Sequence, residues 1–276
     1  MPNRLKDLLR KKLTKKELAI TPSSFDIVGN ILIFSDFPKQ LSNKEKMIGN
    51  EILKNYKHIK AVFKKTKKYS GKYRTPKLKL LAGEKNKETI HTENNIRLKL
   101  NVEKVYFSQR LSEERRRISR LVKNNEAILT MFSGAAPYPA TISKNTRARE
   151  IIGIEINPIA HKYALENLKL NKIRNVKLIL GNVKNEVPRL KKKFDRIIMP
   201  LPRGAENFLD LAFKVAKKGT IIHLYQFINE EEFEATKQKL KNICNKNKIN
   251  CKILGLVRCG QFSPRVYRVC IDFKVL

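Results

Sequence analysis

From residue 127 onward the apolar positions fall into short dense runs, separated by stretches in which apolar residues recur at helical spacing. The runs lie in AILTMFSGAAPYP (127–139), IIGIEINP (151–158), VKLILGNV (176–183), FDRIIMPLP (194–202) and GTIIHLYQF (219–227). Unbroken apolar runs bounded by turn residues are strands covered on both faces. Their alternation with helical spacing at 159–171, 205–216 and 230–245 predicts a largely parallel sheet. KILGLVRCG (252–260) and YRVCIDFKV (267–275) follow with no room for a helix between them, and predict an antiparallel pair at the end of that sheet.

Upstream the pattern is mixed. FDIVGNILIF (25–34) forms two short strands around Gly29, and residues 43–56 put Met47, Ile48, Ile52 and Leu53 at helical spacing. IKAVFKKT (59–66) alternates as a strand. KLKLLAGE (77–84), KETIHTENN (87–95) and IRLKLNVEKVYFS (96–108) continue as strands, with Asn94-Asn95 at a hairpin turn. SEERRRISRLVK (112–123) starts a helix, with Ser112 as N-cap and Glu113 and Glu114 in the first turn. Residues 2–18 predict a basic helix with Leu5, Leu8, Leu9 and Leu13 on one face. The expected organisation is a basic N-terminal helix (1–23), a small α+β domain (24–108) and an α/β domain (109–276).

The ends of the parallel strands carry residues in an order that suits an adenosine-containing ligand. Gly134, with the small residues Ser133, Ala135 and Ala136, lets a ligand approach the backbone after the first strand. Glu155 ends the second, where a carboxylate accepts ribose hydroxyls. Taken alone, it could instead cap a helix that begins at Asn157-Pro158. Asn182 ends the third and can pair with an adenine edge, and Met199-Pro200-Leu201-Pro202 follows the fourth. The absence of G-x-G-x-x-G argues against a nicotinamide dinucleotide, and the absence of G-x-x-x-x-G-K-[ST] excludes a P-loop.

Charge narrows the partner. Lys and Arg number 60 against 25 Asp and Glu, a formal net charge of +35. A field of this size recruits polyanions, and counterion release adds affinity. KNYKHIKAVFKKTKKYSGKYR (54–74) and ERRRISRLVK (114–123) concentrate the charge, and Tyr56, Phe63, Tyr69 and Tyr73 interleave with the first run. Such aromatics stack bases or belong to a core. The N-terminal helix accordingly either docks its leucines on the body or lies against RNA. No run is apolar enough to span a membrane, and residues 1–18 lack the apolar segment of a signal peptide, so a cytoplasmic protein is expected. Cys244, Cys251, Cys259 and Cys270 form no C-x-x-C, and His58, His91, His161 and His223 show no ligand spacing. Free thiols and no metal are expected.

Longer motifs now add to this reading. They are LLAGEKNKETIHTENN (80–95), EKVYFSQRLSEERRRI (103–118), EINPIAHKYALENLKLNKI (155–173), DRIIMPLPRGAENFLD (195–210), GTIIHLYQF and FSPRVYRVCIDFKV (262–275). In them the chain resembles the archaeal and eukaryotic tRNA guanine-37 N1-methyltransferases, over nearly its whole length. More narrowly, it resembles the archaeal branch that also methylates C7 of the wyosine precursor imG2. The resemblance implies an α/β fold, a doubly wound Rossmann-type methyltransferase sheet preceded by a smaller α+β domain that contacts tRNA. It implies S-adenosyl-L-methionine as cofactor, and a monomer acting on position 37 in the anticodon loop of tRNA, tRNA(Phe) above all.

It also implies roles. N1 of guanine must lose a proton before it attacks, and negative charge then gathers on O6. Glu114 matches the family's base and Arg74 its cation, with Pro200 beside the reacting base. By themselves Glu114 would be a solvated carboxylate at a helix start and Arg74 one more phosphate contact. Tyr106, Phe107, Arg115, Phe132, Gly134, Glu155, Ile156, Asn182, Val183, Pro200, Leu201 and Pro202 match the cofactor pocket, and Pro264 and Arg265 a grip on the anticodon arm.

Departures from the family stand at several points. The first turn is TMFSGAAPY (130–138) where members commonly have DMFAGVGPF, and Asn182 replaces the usual Asp. Pro200-Leu201-Pro202 stands where guanine-only members have Asn-Leu-Pro. The separate N-terminal domain that many members use to hold the tRNA elbow is expected to have no counterpart, which would leave positioning to the basic helix and the positive field. Two alternatives remain at this point. One is an aminocarboxypropyl transferase of the wyosine pathway, against which Met199-Pro200-Leu201-Pro202 argues. The other is a non-enzymatic RNA-binding protein on a decayed methyltransferase fold, suggested by Thr130 and Ala136.

Overall fold

The computed structural model describes residues 5–276, with the side chains of all but residues 68–70. The first four positions of the basic segment and the side chain of Tyr69 lie outside the described residues. The chain forms two compact units. One holds residues 1–92 and 97–109, the other residues 93–96 and 110–276.

The first unit contains α1 (Leu5–Leu9), α2 (Lys15–Ile20), β1 (Asp26–Val28), β2 (Ile31–Phe34), α3 (Glu45–Asn55), β3 (Ala61–Ser70) and β4 (Thr75–Gly83). The strands form one sheet in the order β1-β2-β3-β4. The β1–β2 and β3–β4 pairs are antiparallel, while β2 and β3, joined through α3, are parallel.

The expected single basic helix is two helices. Thr14 caps α2, accepting the backbone N–H of Glu17 while the Glu17 carboxylate accepts that of Thr14. This reciprocal cap breaks the helix at residue 14. Leu5, Leu9 and Leu13 are buried in one cluster with Leu32, Phe34, Ile48 and Ile52, so the leucine face docks on the unit. Residues 5–23 are therefore part of the first unit rather than a piece of their own. Next come β5 (Glu88–Glu93) and β6 (Ile96–Asn101). Asn94 (φ 44°) and Asn95 (φ 63°) are both left-handed, as a two-residue hairpin turn requires.

The second unit contains α4 (Ser112–Leu121), β7 (Ala127–Met131), α5 (Pro137–Asn145), β8 (Glu150–Glu155), α6 (Pro158–Leu170), β9 (Val176–Leu180) and α7 (Val183–Arg189). After these follow β10 (Phe194–Met199), α8 (Leu209–Lys214), β11 (Ala216–Asn229), α9 (Phe233–Lys246), β12 (Cys251–Ser263) and β13 (Val266–Val275). The sheet runs β12-β13-β11-β10-β7-β8-β9. β7 to β11 are parallel, and β13 is antiparallel to both β11 and β12. The chain steps outward from β7 through β8 to β9, then returns to β10 on the other side of β7. The carboxyl ends of β7 and β10 therefore flank a topological switch point, where ligands of open α/β sheets bind.

Helices cover both faces. Leu129, Met131, Ile197, Met199 and Leu224 pack on one face with Val187 of α7, Leu209 of α8 and Leu240 of α9. Ile128, Ile151, Ile198, Tyr225 and Cys270 pack on the other with Ile118 of α4 and Tyr138 and Ile142 of α5. Ser112 is not the N-cap of α4. It is the first helical residue, behind a 3-10 turn at Gln109–Leu111, and its Oγ and carbonyl accept the Asn94 amide. α8 is shorter than expected because a 3-10 turn, Ala205–Phe208, takes its first residues.

Candidate active site

The turn between β7 and α5 holds three left-handed residues: Phe132 (φ 61°), Gly134 (φ 57°) and Ala136 (φ 64°). Ala136 occupies the N-cap position of α5, directly before Pro137. A glycine there would be unstrained, and alanine costs about 1–2 kcal/mol. The family's second glycine thus reflects a φ that this chain keeps without it. The turn closes onto β8. Ser133 N–H donates to the Ile154 carbonyl at 2.8 Å, and a Cβ on Gly153 would stand 3.1 Å from Ser133 Cβ and 2.8 Å from Leu178 Cδ2. The glycine that this approach requires is therefore in the neighbouring strand.

Glu155, at the tip of β8, is 9% exposed. Its Oε2 accepts the Gly134 N–H at 2.6 Å and its Oε1 the Asn157 N–H at 2.7 Å. It does not cap α6. Asn157 does, with Oδ1 accepting from Ile159 and Ala160. Burial pushes the Glu155 carboxyl above its ordinary range, against the backbone N–H groups of Asn157, Gly134 and Ile156. A carboxylate has about four acceptor positions, so capacity remains for a hydroxyl beside these three backbone donors.

The other residues at this edge follow the sheet. Phe132 packs on the core with its ring 5.1 Å from Phe208, and Val183 and Leu201 pack there too. Ile156 follows the tip of β8, half-buried. Asn182 caps α7, Oδ1 accepting the Lys184 N–H at 3.0 Å. β10 ends in a tight turn about Pro200, with the Leu201 N–H donating to the Met199 carbonyl at 2.8 Å, and the Pro202 carbonyl accepts the Phe227 N–H at 3.0 Å.

Arg115 is 2% exposed, and its guanidinium is committed to Glu93, with Nη2 to Oε2 at 2.6 Å and a second bond from Nε to Oε1. Its place in a cofactor pocket rests on the resemblance alone. Arg74, Tyr106 and Phe107 belong to the first unit. Arg74 closes the β3–β4 turn with φ 50°, and Phe107 is buried with its ring 5.2 Å from His91.

Glu114 is not the solvated carboxylate that a helix start suggests. It is 5% exposed and ends a buried polar chain across the sheet face beneath α4. Arg196 in β10, fully buried, donates to Glu126 through Nε at 2.7 Å and Nη2 at 3.0 Å. Its Nη1 lies 2.7 Å from His223 Nε2, and His223 Nδ1 lies 2.6 Å from Asp272 Oδ1. A guanidinium only donates, so this network assigns the imidazole proton to Nδ1, which donates to Asp272. Burial pushes the His223 pKa down, against the pull of Asp272, which keeps the ring neutral.

Arg117 donates to Asp272 at 2.6 Å through Nη1, and to Glu114 at 2.7 Å through Nε and 2.8 Å through Nη2. The Tyr225 hydroxyl donates to Glu114 Oε1 at 2.6 Å. Burial opposes the charge on Asp272, yet His223 and Arg117 hold its carboxyl well below the usual range. Carboxylates outnumber guanidiniums by one along this chain, so it carries one net negative charge. Tyr225 lies one residue past the register of Leu224 with Met199, which puts the Glu114 end at the same sheet edge as Pro200.

His223, Cys270 and Asp272 bring donor atoms within 4.8 Å of one another. Arg196 and Arg117 already occupy His223 Nε2 and the Asp272 oxygens, so this geometry serves hydrogen bonding rather than a cation. Arg117, Tyr225, Asp272, Arg196 and Glu126 were not expected at a site from the sequence, and His223 was considered only as a metal ligand. The available signal was polar residues at inward positions of otherwise apolar strands.

The description "TRM5/TYW2 methyltransferase domain" matches residues 89–254. The chain belongs to this family. Residues 5–86 match the TYW2 N-terminal domain, so this TRM5/TYW2 member carries its methyltransferase sheet behind an N-terminal domain of the family. It is 41% identical to the tRNA (guanine(37)-N(1))-methyltransferase Trm5b of Pyrococcus abyssi, over 92% of this chain and 75% of that one. The crystal structure of that Trm5b superposes with a TM-score of 0.86 over 95% of this chain and 78% of the other, at 40% identity. The tRNA (guanine(37)-N(1))/4-demethylwyosine(37)-methyltransferase Taw22 of Nanoarchaeum equitans is 36% identical, over 92% of this chain and all of that one. Its name gives 4-demethylwyosine as the second base, where the resemblance suggested imG2. The complex of aTrm5 with tRNALeu superposes with a TM-score of 0.87 over the whole of this chain and 79% of the other, at 31% identity. Among the described residues, no helix of this TRM5/TYW2 member is long and apolar enough to cross a membrane.

Proposed function

We propose that the chain transfers a methyl group from S-adenosyl-L-methionine to N1 of guanosine-37 in tRNA, and to C7 of 4-demethylwyosine on tRNA(Phe), acting as a cytoplasmic monomer. The observation that carries this reading is the buried Glu155 carboxylate at the switch point, held by the Gly134 and Asn157 N–H groups with acceptor capacity to spare. A ribose hydroxyl suits it. With Oδ1 of Asn182 capping α7, its amide nitrogen is the group left to donate to an adenine edge. Phe132, Ile156, Val183 and Leu201 form apolar walls.

The cofactor supplies an electrophilic methyl carbon on a sulfonium, so transfer depends chiefly on positioning and on a deprotonated nucleophile. Glu114 takes the N1 proton, and Arg74 steadies the charge on O6. The Arg117 guanidinium donates to Glu114 and is shared with Asp272, which holds the Glu114 carboxylate in place. The basic first unit and the net charge of +35 attract the tRNA.

Nucleoside mass spectrometry tests the reading on tRNA(Phe), unmodified or carrying 4-demethylwyosine, after incubation with protein and cofactor. Gain of one methylene in each base is the expected result. Gain of the larger aminocarboxypropyl group would favour the second reading, which the match to a TYW2 N-terminal domain keeps in play. No gain with either tRNA would overturn both.

Two substitutions divide the site. Glu155→Ala weakens S-adenosyl-L-methionine by about 1.5–3 kcal/mol, as for a hydrogen bond to a charged group, and leaves tRNA affinity unchanged in titration. Because burial raises the carboxyl's pKa, its acceptor charge is lost earlier on acidification than for an ordinary Glu, and wild-type cofactor affinity falls with it. Equal loss of both ligands in the variant would mean a damaged fold instead. Pro200→Asn restores the polar side chain of guanine-only members. A pocket discriminates by the polar groups it would leave unpaired, so C7 methylation of 4-demethylwyosine falls while guanine methylation persists. A parallel fall in both would remove Pro200 from substrate choice.

A further inference from the structure

Beside the Pro200–Pro202 turn, arginines and aromatic rings interleave at the sheet edge. Phe227 of β11 and Phe262 of β12 have ring centroids 4.2 Å apart with planes inclined by 37°. The Arg203 guanidinium lies 5.7 Å from the Phe227 ring and 5.3 Å from that of Phe262. Arg268, the direct cross-strand partner of Phe227, lies 5.3 Å from the Phe227 ring. Phe262 nevertheless leaves 52% of its surface exposed. The group is tied to the site by one bond, from Phe227 N–H to the Pro202 carbonyl.

A single exposed Phe needs no explanation. An exposed ring seated among guanidiniums is different, because both surfaces stack on the π-face of a base while the cations draw the phosphate chain. Glu231 pairs with Arg265 at 3.0 Å and Glu230 lies 3.8 Å from Arg258, so both are engaged with arginines outside the stack. The net charge of +35 favours a polyanion as occupant, and only unpaired nucleotides offer a bare base face.

We propose that Phe262, backed by Phe227 and flanked by Arg203, is a stacking subsite for the nucleobase next to the target in the anticodon loop, which holds the loop open while its neighbour enters the Pro200 pocket. This rests on the tRNA reading above and adds a subsite to it. The contact is to any base, since every base has a π-face, so it grips the loop without selecting its sequence.

The experiment uses tRNA with 2-aminopurine at position 36 or 38, whose fluorescence falls when it stacks. Wild-type protein quenches one of these probes. Phe262→Ala abolishes the quench and raises KM for tRNA by about 5- to 100-fold, the range for one lost base–aromatic stack, with kcat and cofactor affinity unchanged. Phe262→Tyr retains both quench and KM. Arg203→Lys keeps the charge but loses the planar stack, and weakens the quench without altering the salt dependence of binding. A quench and KM indifferent to Phe262→Ala, with position 37 still methylated, would overturn the subsite and leave the function standing. A Phe262-dependent quench without methylation of position 37 would do the reverse.

Discussion

Glu114→Gln lowers single-turnover methylation of guanosine-37 by about 10²- to 10⁴-fold, the usual contribution of a general base. Cofactor and tRNA affinity stay unchanged. The geometry explains why the loss is confined to the chemical step. Glu114 stands in the first turn of α4, 5% exposed, and accepts from the Arg117 guanidinium and the Tyr225 hydroxyl. Gln matches its shape, can still accept from Tyr225, and leaves Arg117 anchored on Asp272. It cannot take a proton. Rapid-quench kinetics with enzyme in excess over tRNA measure the step directly. An unchanged rate would assign Glu114 to the buried ion-pair chain alone and leave the base to another group.

Arg196→Met lowers stability by about 3–5 kcal/mol, the cost of leaving one partner of a buried ion pair uncompensated. Arg196 is fully buried in β10, and its loss strands the Glu126 carboxylate, the Leu121 carbonyl and His223 Nε2. Glu126→Leu combined with Arg196→Met removes both charges and recovers much of the loss, because a buried pair is often no more stable than apolar residues of similar volume. Urea unfolding of the single and double variants measures the coupling. A single variant within about 1 kcal/mol of wild type would mean that water reaches Glu126 and screens it.

These two expectations concern residues of which the sequence analysis singled out only Glu114, and the reason is physical. Strands of the second unit were legible because burial on both faces writes itself as an apolar run, as at 151–154 and 197–199. The Asn94-Asn95 turn was legible because two left-handed residues in a row demand such side chains. The break at Thr14 was equally local, in the Thr-x-x-Glu of its capping box, but a leucine pattern running across it suggested one helix. α7 went unseen because it is short and contains Pro188.

The sequence by itself determined the alternation of strands and helices, the antiparallel closing pair, the family, and the order in which Gly134, Glu155, Asn182 and Pro200 reach one sheet edge. All of that is written in spacings of a few residues, or in the fact that parallel strands all end on the same side. Tertiary structure alone decided what those residues meet. It gave Asn157 rather than Glu155 the capping of α6 and committed Arg115 to Glu93. It joined Glu114 to Tyr225 across 111 residues and Arg117 to Asp272 across 155. No local preference encodes such pairings. A buried charge must find a partner or stay in water, and which partner it finds is known only when the sheet has closed.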